Sequence, residues 1–285
     1  MALALSEDQR LLKDAARNFC QQSSPLSVLR GLRDSKDETG FDVAIWKQML
    51  ELGWAGMAVP ETYGGFQFGY GGLGVVLEET GRTLTSSPLI STVLIAATAV
   101  NELGSEQQKA SLLPAIVGGE LLMSLALDEH SLHNPSHIET TASRTSDGFE
   151  LNGKKTFVLD GHVANQFIVV ARSSGDHDSK EGISLFLVDS GSTGVTVTRT
   201  LMVDSRNAAK ISLDKVAVTE AAVLGDLDKG FVGLDRVLDI ARIGLAAEML
   251  GSIREVFERI LEYLKQREQF GVLIGSFQGL QHRAA

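Results

Sequence analysis

Three stretches of this chain carry side chains whose types and spacing could do chemistry. The first is the loop Asp128-Glu129-His130-Ser131-Leu132-His133-Asn134-Pro135-Ser136-His137, where imidazoles and carboxylates lie close together. Such groups can bind zinc. Their spacing matches no common ligand motif, and Pro135 interrupts any helix that would align them. The stretch therefore reads as a polar loop at a domain or ligand surface, and no metal is expected. The second is Gly69-Tyr70-Gly71-Gly72-Leu73-Gly74, a formal G-x-G-x-x-G match. A dinucleotide fingerprint needs a strand just before it, within a βαβ unit. Here a Pro/Gly loop precedes and helical patterns follow, so the glycines read as a lead-in to a helix. The third is Arg267-Glu268-Gln269-Phe270-Gly271, followed by Ser276-Phe277-Gln278. A guanidinium is a planar donor fork suited to a dianionic group, but a terminal arginine can equally pair with Glu268 or cap carbonyls. Cys20 lies in an amphipathic segment without an evident base, and no Gly-x-Ser-x-Gly elbow occurs, so nucleophilic hydrolysis has no support.

The third stretch closes a long helical pattern. Leu234, Leu238, Ala241, Leu245, Met249, Ile253, Val256, Ile260 and Leu264 step by three and four residues, which predicts one buried face of one helix. From about Phe231 to Glu268 it would be on the order of 50 Å long. Lys265, Arg267 and Gly271 suit its end, and a second amphipathic segment starts near Ser276. A helix of this length points to a bundle or a subunit interface.

Upstream, Ser6 followed by Glu7 and Asp8 predicts a capped helix through Phe19. A polar linker is expected over 23–40, then a helix over 43–52 and a loop at Pro60-Glu61-Thr62-Tyr63-Gly64-Gly65. Helical patterns follow over 73–84, 88–103 and 106–117, the last capped by Ser105. From Leu121 the texture becomes short extended segments: 122–127, 140–145, 149–151, 155–159, 167–171, 183–188, 195–198 and 209–218. Asp147-Gly148 and Asn152-Gly153 read as hairpin turns. The expected fold class is α+β and multi-domain: an N-terminal α-helical domain over 1–120, a middle β domain of sandwich or barrel type over 121–224, and the start of a C-terminal α-helical bundle over 225–285.

Composition narrows the function classes. Over 285 residues the net charge is −10, against nucleic acid or an anionic membrane as main partner, although a local basic site for phosphate is compatible with it. The single cysteine leaves no internal disulfide and suits a reducing cytoplasm. Residues 1–10 show no signal peptide, and the run Ser86 to Val100 is too short to span a membrane. A cytoplasmic location is expected.

Several motifs in one order resemble the acyl-CoA dehydrogenase family over nearly the whole chain. They are Ala58-Val59-Pro60-Glu61-Thr62-Tyr63-Gly64-Gly65, Leu151-Asn152-Gly153-Lys154-Lys155-Thr156-Phe157-Val158, Val223-Leu224-Gly225, and Arg267-Glu268-Gln269-Phe270-Gly271 with Phe277-Gln278. The resemblance implies a flavoprotein fold whose C-terminal four-helix bundle assembles dimers and tetramers. It implies FAD as cofactor, an acyl-CoA thioester as substrate and an electron-transfer flavoprotein as electron acceptor. In the implied reaction a glutamate removes the α-proton while the β-hydride passes to the flavin. Phe157 would wall the flavin. Arg267 would bind the pyrophosphate of a neighbouring subunit's FAD, flanked by Phe270 and Gln278, while Asp239 and Arg242 match positions lining the acyl-CoA pocket.

The departures from that pattern are selective. Where the family's flavin loop reads roughly Ala-Leu-Thr-Glu-Pro-x-x-Gly-Ser-Asp, this chain has Ala126-Leu127-Asp128-Glu129-His130-Ser131-Leu132-His133-Asn134-Pro135. A threonine is thus an aspartate, whose fixed charge would oppose reduced flavin, and the Gly-Ser-Asp turn is gone. Where the family has Trp-Ile-Thr, this chain has Phe157-Val158-Leu159, losing a second hydroxyl. Ala241 stands at one of the family's two places for the catalytic glutamate, so no catalytic base is assigned within the chain, and a break part-way into a bundle is expected. These features lead to one subunit of a hetero-oligomeric acyl-CoA dehydrogenase, resembling the steroid-side-chain type, which lends contacts to another acyl-CoA dehydrogenase-like subunit. A homo-oligomer with a remodelled loop is the next expectation. The alternative is a non-catalytic paralogue acting as a structural or regulatory partner of a flavin-bearing subunit.

Overall fold

A computed structural model describes residues 4–285; Met1, Ala2 and Leu3, where the first expected domain and the segment read for a leader begin, lie outside the described residues. Helix α1 (Glu7–Ser23) starts from a reciprocal cap in which Ser6 Oγ accepts from Gln9 N and Gln9 Oε1 accepts from Ser6 N. The expected polar linker instead contains helix α2 (Leu26–Ser35). None of its residues is fully buried, so its apolar spacing at Val28, Leu29 and Leu32 is diluted by arginines. Helix α3 (Val43–Glu51) is capped by Asp42, and α4 (Gly69–Thr83) contains the G-x-G-x-x-G run in its first turns with no strand before it.

The pattern over 88–103 divides in two. Leu89–Ala96 is a π-helix, every residue of it buried, and Ala97–Leu103 continues as α5. Helix α6 (Glu106–Val117) carries a second reciprocal cap between Ser105 and Gln108.

The strands are β1 (Met123–Ala126), β2 (Thr141–Arg144), β3 (Phe149–Leu159), β4 (Gln166–Arg172), β5 (Ile183–Asp189), β6 (Val195–Leu201), β7 (Asn207–Val218) and β8 (Val223–Leu224). They form one mixed sheet in the order β6-β7-β3-β2-β4-β5-β8, with β1 parallel to β4. Its two ends stay apart, so it is not a closed barrel. A single parallel pair, Thr141 with Arg172, joins its two halves. Between them lies a core of Phe149, Leu151, Val158, Phe167, Val169, Phe186, Ile211 and Leu213. The other face of β4, through Ile168 and Val170, belongs to the helical core with Leu94, Val100 and Leu234. Covered on both faces, β4 reads as an unbroken apolar run, whereas β6 alternates because one of its faces is open.

Two turn expectations part company here. Asp147-Gly148 does connect β2 to β3, but Asn152-Gly153 does not make a hairpin: β3 runs straight through it. The pair marks a register shift against β7 between Leu151 and Gly153, and Asn152 Oδ1 accepts from Lys215 N.

Helix α7 (Gly230–Gln266) corrects the expected single buried face. Leu234 and Leu238 are buried, but Leu245, Met249, Ile253, Val256 and Ile260 are exposed. The C-terminal half packs through small residues instead. A Cβ on Gly81 of α4 would collide with the Glu248 carbonyl oxygen, and one on Gly251 with the Glu78 carbonyl oxygen, so the two backbones touch. Ion pairs flank the crossing: Glu78 with Lys13 (2.7 Å) and Arg254, Glu79 with Arg17 (3.0 Å), and Arg82 with Glu255 (3.0 Å) and Glu258. The chain then forms β9 (Glu268–Gln269) and β10 (Val272–Leu273), a two-stranded hairpin, and ends in α8 (Gln278–Ala284).

Candidate functional site

The site is built around a distortion near the end of β3. Register against β7 shifts between Lys155 and Val158, and Phe157 takes a left-handed φ of +52°. Such a conformation costs an aromatic residue on the order of 1–3 kcal/mol and is characteristic of functional sites. Its effect is directional: Val158 stays in the core while the Phe157 ring turns outward, 43% exposed.

Two clefts flank that ring. One, of about 110 Å³, lies at the junction of all three parts of the chain. Ser91 and Ile95 of the π-helix, Leu125 and Leu127 around β1, Asp128, His133, Leu159 and Leu238 of α7 line it. The other is a trough of about 530 Å³ on the open face of the sheet, within the ~300–1,000 Å³ typical of ligand sites. Its floor is a grid: Thr196 pairs with Ser212 and Ser212 with Lys154, while Thr198 pairs with Lys210. Hydroxyls and two ammonium groups on one face make a basic, donor-rich surface in a chain of net charge −10. The alternation Thr196-Val197-Thr198-Arg199-Thr200 was its sequence signal.

The loop after β1 is held by a buried ion pair that composition does not reveal. Lys155 Nζ lies 2.6 Å from Glu129 Oε1 and donates to the Leu127 carbonyl at 3.0 Å. Glu129 also accepts from the main-chain N–H groups of Glu139 (2.6 Å) and Thr140 (2.9 Å). Burial pushes the Lys155 ammonium down to about 8 against the pull of Glu129. Burial also opposes ionisation of Glu129, but the Lys155 charge and the hydrogen bonds from Lys155, Thr140 and Glu139 outweigh it and hold this carboxyl below its ordinary value. The pair is therefore ionised at neutral pH, a fixed strut between β3 and the loop. Lys155 shares the inward parity of Phe149 and Leu151 along β3, which is the signal that marks it as buried.

Asp160, just past Leu159, is half-buried and accepts from Ser91 Oγ at 2.6 Å, tying β3 to the π-helix. Burial pushes its carboxyl up to about 6, opposed by Ser91, the Arg206 charge and Asn207.

The residues expected from sequence fall into two groups that the structure keeps apart. Phe157 and Leu159 line the clefts, with Asp128 close by, its carboxylate taken up by His133 Nδ1 at 2.8 Å. Asp239 and Arg242 are exposed on α7 beside Leu238 and pair with each other at 2.7 Å; Ala241 is half-buried against the helical core. Arg267, Phe270 and Gln278 sit at the far end of α7, ~43 Å of helix beyond Leu238. Arg267 is exposed and makes no ion pair among the described residues. Phe270, 92% exposed, holds a left-handed φ of +56° at the hairpin tip and meets Phe277 edge-on. None of the three reaches its own chain's clefts.

A flavin needs an apolar ring wall, donors to its polar edge and cationic partners for its pyrophosphate. Phe157 with Leu125, Leu127 and Leu159 supplies the wall, and the trough supplies hydroxyl and ammonium donors. At the head of the loop Asp128 can only accept, and it is already engaged by His133. The residues present fit such a group at the wall and the trough, and lack donors at the loop head.

Comparison with known proteins agrees with this architecture throughout. Family models for the acyl-CoA dehydrogenase N-terminal domain match residues 6–120, for the middle domain residues 128–216, and for the C-terminal domain residues 228–285. The probable acyl-CoA dehydrogenase YngJ of Bacillus subtilis is 30% identical, across 100% of this chain and 76% of its own length. Among solved structures, the steroid ACAD Tcur3481-Tcur3483 is 33% identical with a TM-score of 0.85, covering 98% of this chain and 72% of that one. The ChsE4-ChsE5 complex from Mycobacterium tuberculosis is 27% identical with a TM-score of 0.88, covering 100% of this chain and 74% of that one.

Proposed function

The chain belongs to the acyl-CoA dehydrogenase family, whose members are FAD-dependent oxidoreductases, and on that premise we propose that it is one subunit type of a hetero-oligomeric acyl-CoA dehydrogenase. The observation that carries this reading is the separation of the two groups of site residues. A rigid helix puts Arg267 ~43 Å from Leu238 at its own cleft, and that separation supports a role for Arg267, Phe270 and Gln278 at a neighbour's site. The exposed Leu245, Met249, Ile253, Val256 and Ile260 offer that neighbour an apolar face along the same helix. Likeness to the two-protein steroid ACAD and to the ChsE4-ChsE5 complex supports a bulky acyl-CoA and a second, related subunit.

FAD supplies the hydride acceptor of this chemistry when bound. In this chain Arg267 would hold a neighbour's FAD pyrophosphate through its guanidinium fork, with Gln278 and Phe270 beside it. Phe157 would wall the flavin on the chain's own sheet, and Asp239 and Arg242 would border the acyl-CoA. Leu125, Leu127, Leu159 and Leu238 supply the apolar part of the small cleft. Ala241 has no titratable group, so no catalytic base is assigned within the chain. No described helix is long and apolar enough to cross a membrane, and an electron-transfer flavoprotein is the proposed acceptor of the electrons.

The experiment is purification of the chain alone and together with its gene neighbours. Flavin content and acyl-CoA-dependent dye reduction should appear only in the assembled complex; a chain that is yellow and active by itself would sink the proposal. The hydroxyl-and-lysine trough favours a second reading, a homo-oligomer that keeps its own flavin, for which stoichiometric flavin in the isolated chain is the discriminating result.

A further inference from the structure

We propose that His130, His137 and Glu139 form a zinc site on the loop joining β1 to β2. Glu139 Oε1 lies 3.3 Å from His130 Nε2 and 3.3 Å from His137 Nε2, and the three ligand atoms all fall within 4.8 Å of one another. Zinc bonds of ~2.0–2.1 Å in a tetrahedron require ligand atoms ~3.3–3.4 Å apart. Both Glu139 edges meet that requirement, and the edge between the two imidazoles lies within 4.8 Å. The chemistry of the donors matches as well: two imidazoles and a carboxylate suit zinc, with a fourth position open to water.

The second layer has the form that metal-binding histidines use. His137 Nδ1 lies 2.5 Å from Asp178 Oδ1. A proton on Nδ1 shared with that carboxylate leaves the lone pair on Nε2, the atom that faces Glu139 and His130. Asp178 comes from a different loop, between β4 and β5, and its approach is fixed by Arg172. That guanidinium, 5% exposed, donates to carbonyls on both loops: Ser136 and Ile138 on one, Ser174, His177, Ser179 and Glu181 on the other. Glu139 is anchored in turn by its N–H to Glu129, the carboxylate paired with buried Lys155. His137 and Glu139 are thus exposed at their tips and fixed at their roots. His130 also lines the trough beside Phe157, so the ion would fix one wall of that trough. His133, held by Asp128, stands outside the set.

The test is titration of the full chain with Zn²⁺ against a chromophoric chelator, and with Co²⁺ for its ligand-field spectrum. The expected result is one ion per chain, a tetrahedral Co²⁺ spectrum and a higher melting temperature with Zn²⁺. His137→Ala and Glu139→Gln should each weaken Zn²⁺ binding at least ~10-fold, and Asp178→Asn ~10- to 100-fold, whereas His133→Ala should leave it unchanged. Melting without metal checks that each variant is folded. If a variant fails to fold, the Co²⁺ spectrum of the parent chain still decides, because octahedral, water-like cobalt would overturn the site. Binding that survives in the His137→Ala, Glu139→Gln double variant would overturn it too, showing that the ion binds elsewhere.

Discussion

Replacing Asp160 by asparagine should stabilise the protein at neutral pH and remove a specific pH dependence. Asp160 follows β3 in a left-handed conformation, half-buried, with Ser91 Oγ as donor at 2.6 Å. Burial holds its carboxyl at about 6 against an ordinary 3.8. At ~1.4 kcal/mol per pH unit, that difference corresponds to ~3 kcal/mol. The sign follows from linkage. The folded state binds this proton more tightly than the unfolded chain does, so the contribution is fully present below about 4 and is lost as pH rises through about 6. Asparagine keeps the shape and an acceptor for Ser91 without the buried charge. Arg206 loses a neighbouring anion but keeps Glu248 at 2.5 Å, which reduces the expected gain to ~1–3 kcal/mol. At ~2–4 °C per kcal/mol for a chain of this size, Asp160→Asn should melt several degrees higher at pH 7.5. The two proteins should converge near pH 4. Denaturant unfolding at pH 4.5, 6 and 7.5 measures both. A variant destabilised equally at all three values would refute the reasoning and show that the carboxylate charge is needed where it sits.

Other consequences can be checked in the same preparations. Arg267→Ala should lower FAD retention in the assembled complex and leave the isolated chain folded; unchanged flavin content would remove Arg267 from the cofactor site. Gly251→Val forces a side chain into the Glu78 carbonyl and should destabilise by at least ~2 kcal/mol, read as a lower denaturant midpoint. An unmoved midpoint would mean that α4 and α7 are not in backbone contact. Lys155→Met leaves Glu129 buried without its partner and should cost ~3–5 kcal/mol, with part of it recovered in the double variant that also carries Glu129→Gln. Equal losses in the single and double variants would show that the pair does not act as a unit.

Sequence made the helical and stranded parts legible where periodicity and caps agreed, as at Ser6, Ser105 and the 183–188 run. It failed where one signal was cancelled by another. Helix α2 hid behind its arginines, and Asn152-Gly153 presented turn chemistry inside a strand that absorbs it as a register shift. The stripe on α7 was read as buried because apolar residues usually face the core, but glycine lets α4 approach on a different face and leaves the stripe open. Phe157 and Leu159, which line the clefts, could be found by motif, since they lie in one local run. The Lys155–Glu129 strut, the Ser91–Asp160 link and the His130, His137, Glu139 and Asp178 cluster join residues far apart along the chain or across loops, and only the folded geometry brings them together.

The backbone contact between α4 and α7 makes the long helix a measuring rod. Its near end is fixed to the small cleft through Leu238, and the crossing at Gly81 and Gly251 prevents it from sliding. In the proposed hetero-oligomer its length would therefore set how far apart two cofactor seats stand. Adding four residues between Ser252 and Gln266 would advance Arg267 by ~6 Å and turn it by ~40°, enough to miss the phosphate proposed for it. Substitutions can accumulate on the outer face of this segment, but a change in residue number changes the spacing itself, so in the proposed assembly the two subunit types would be coupled through a count rather than through any one side chain.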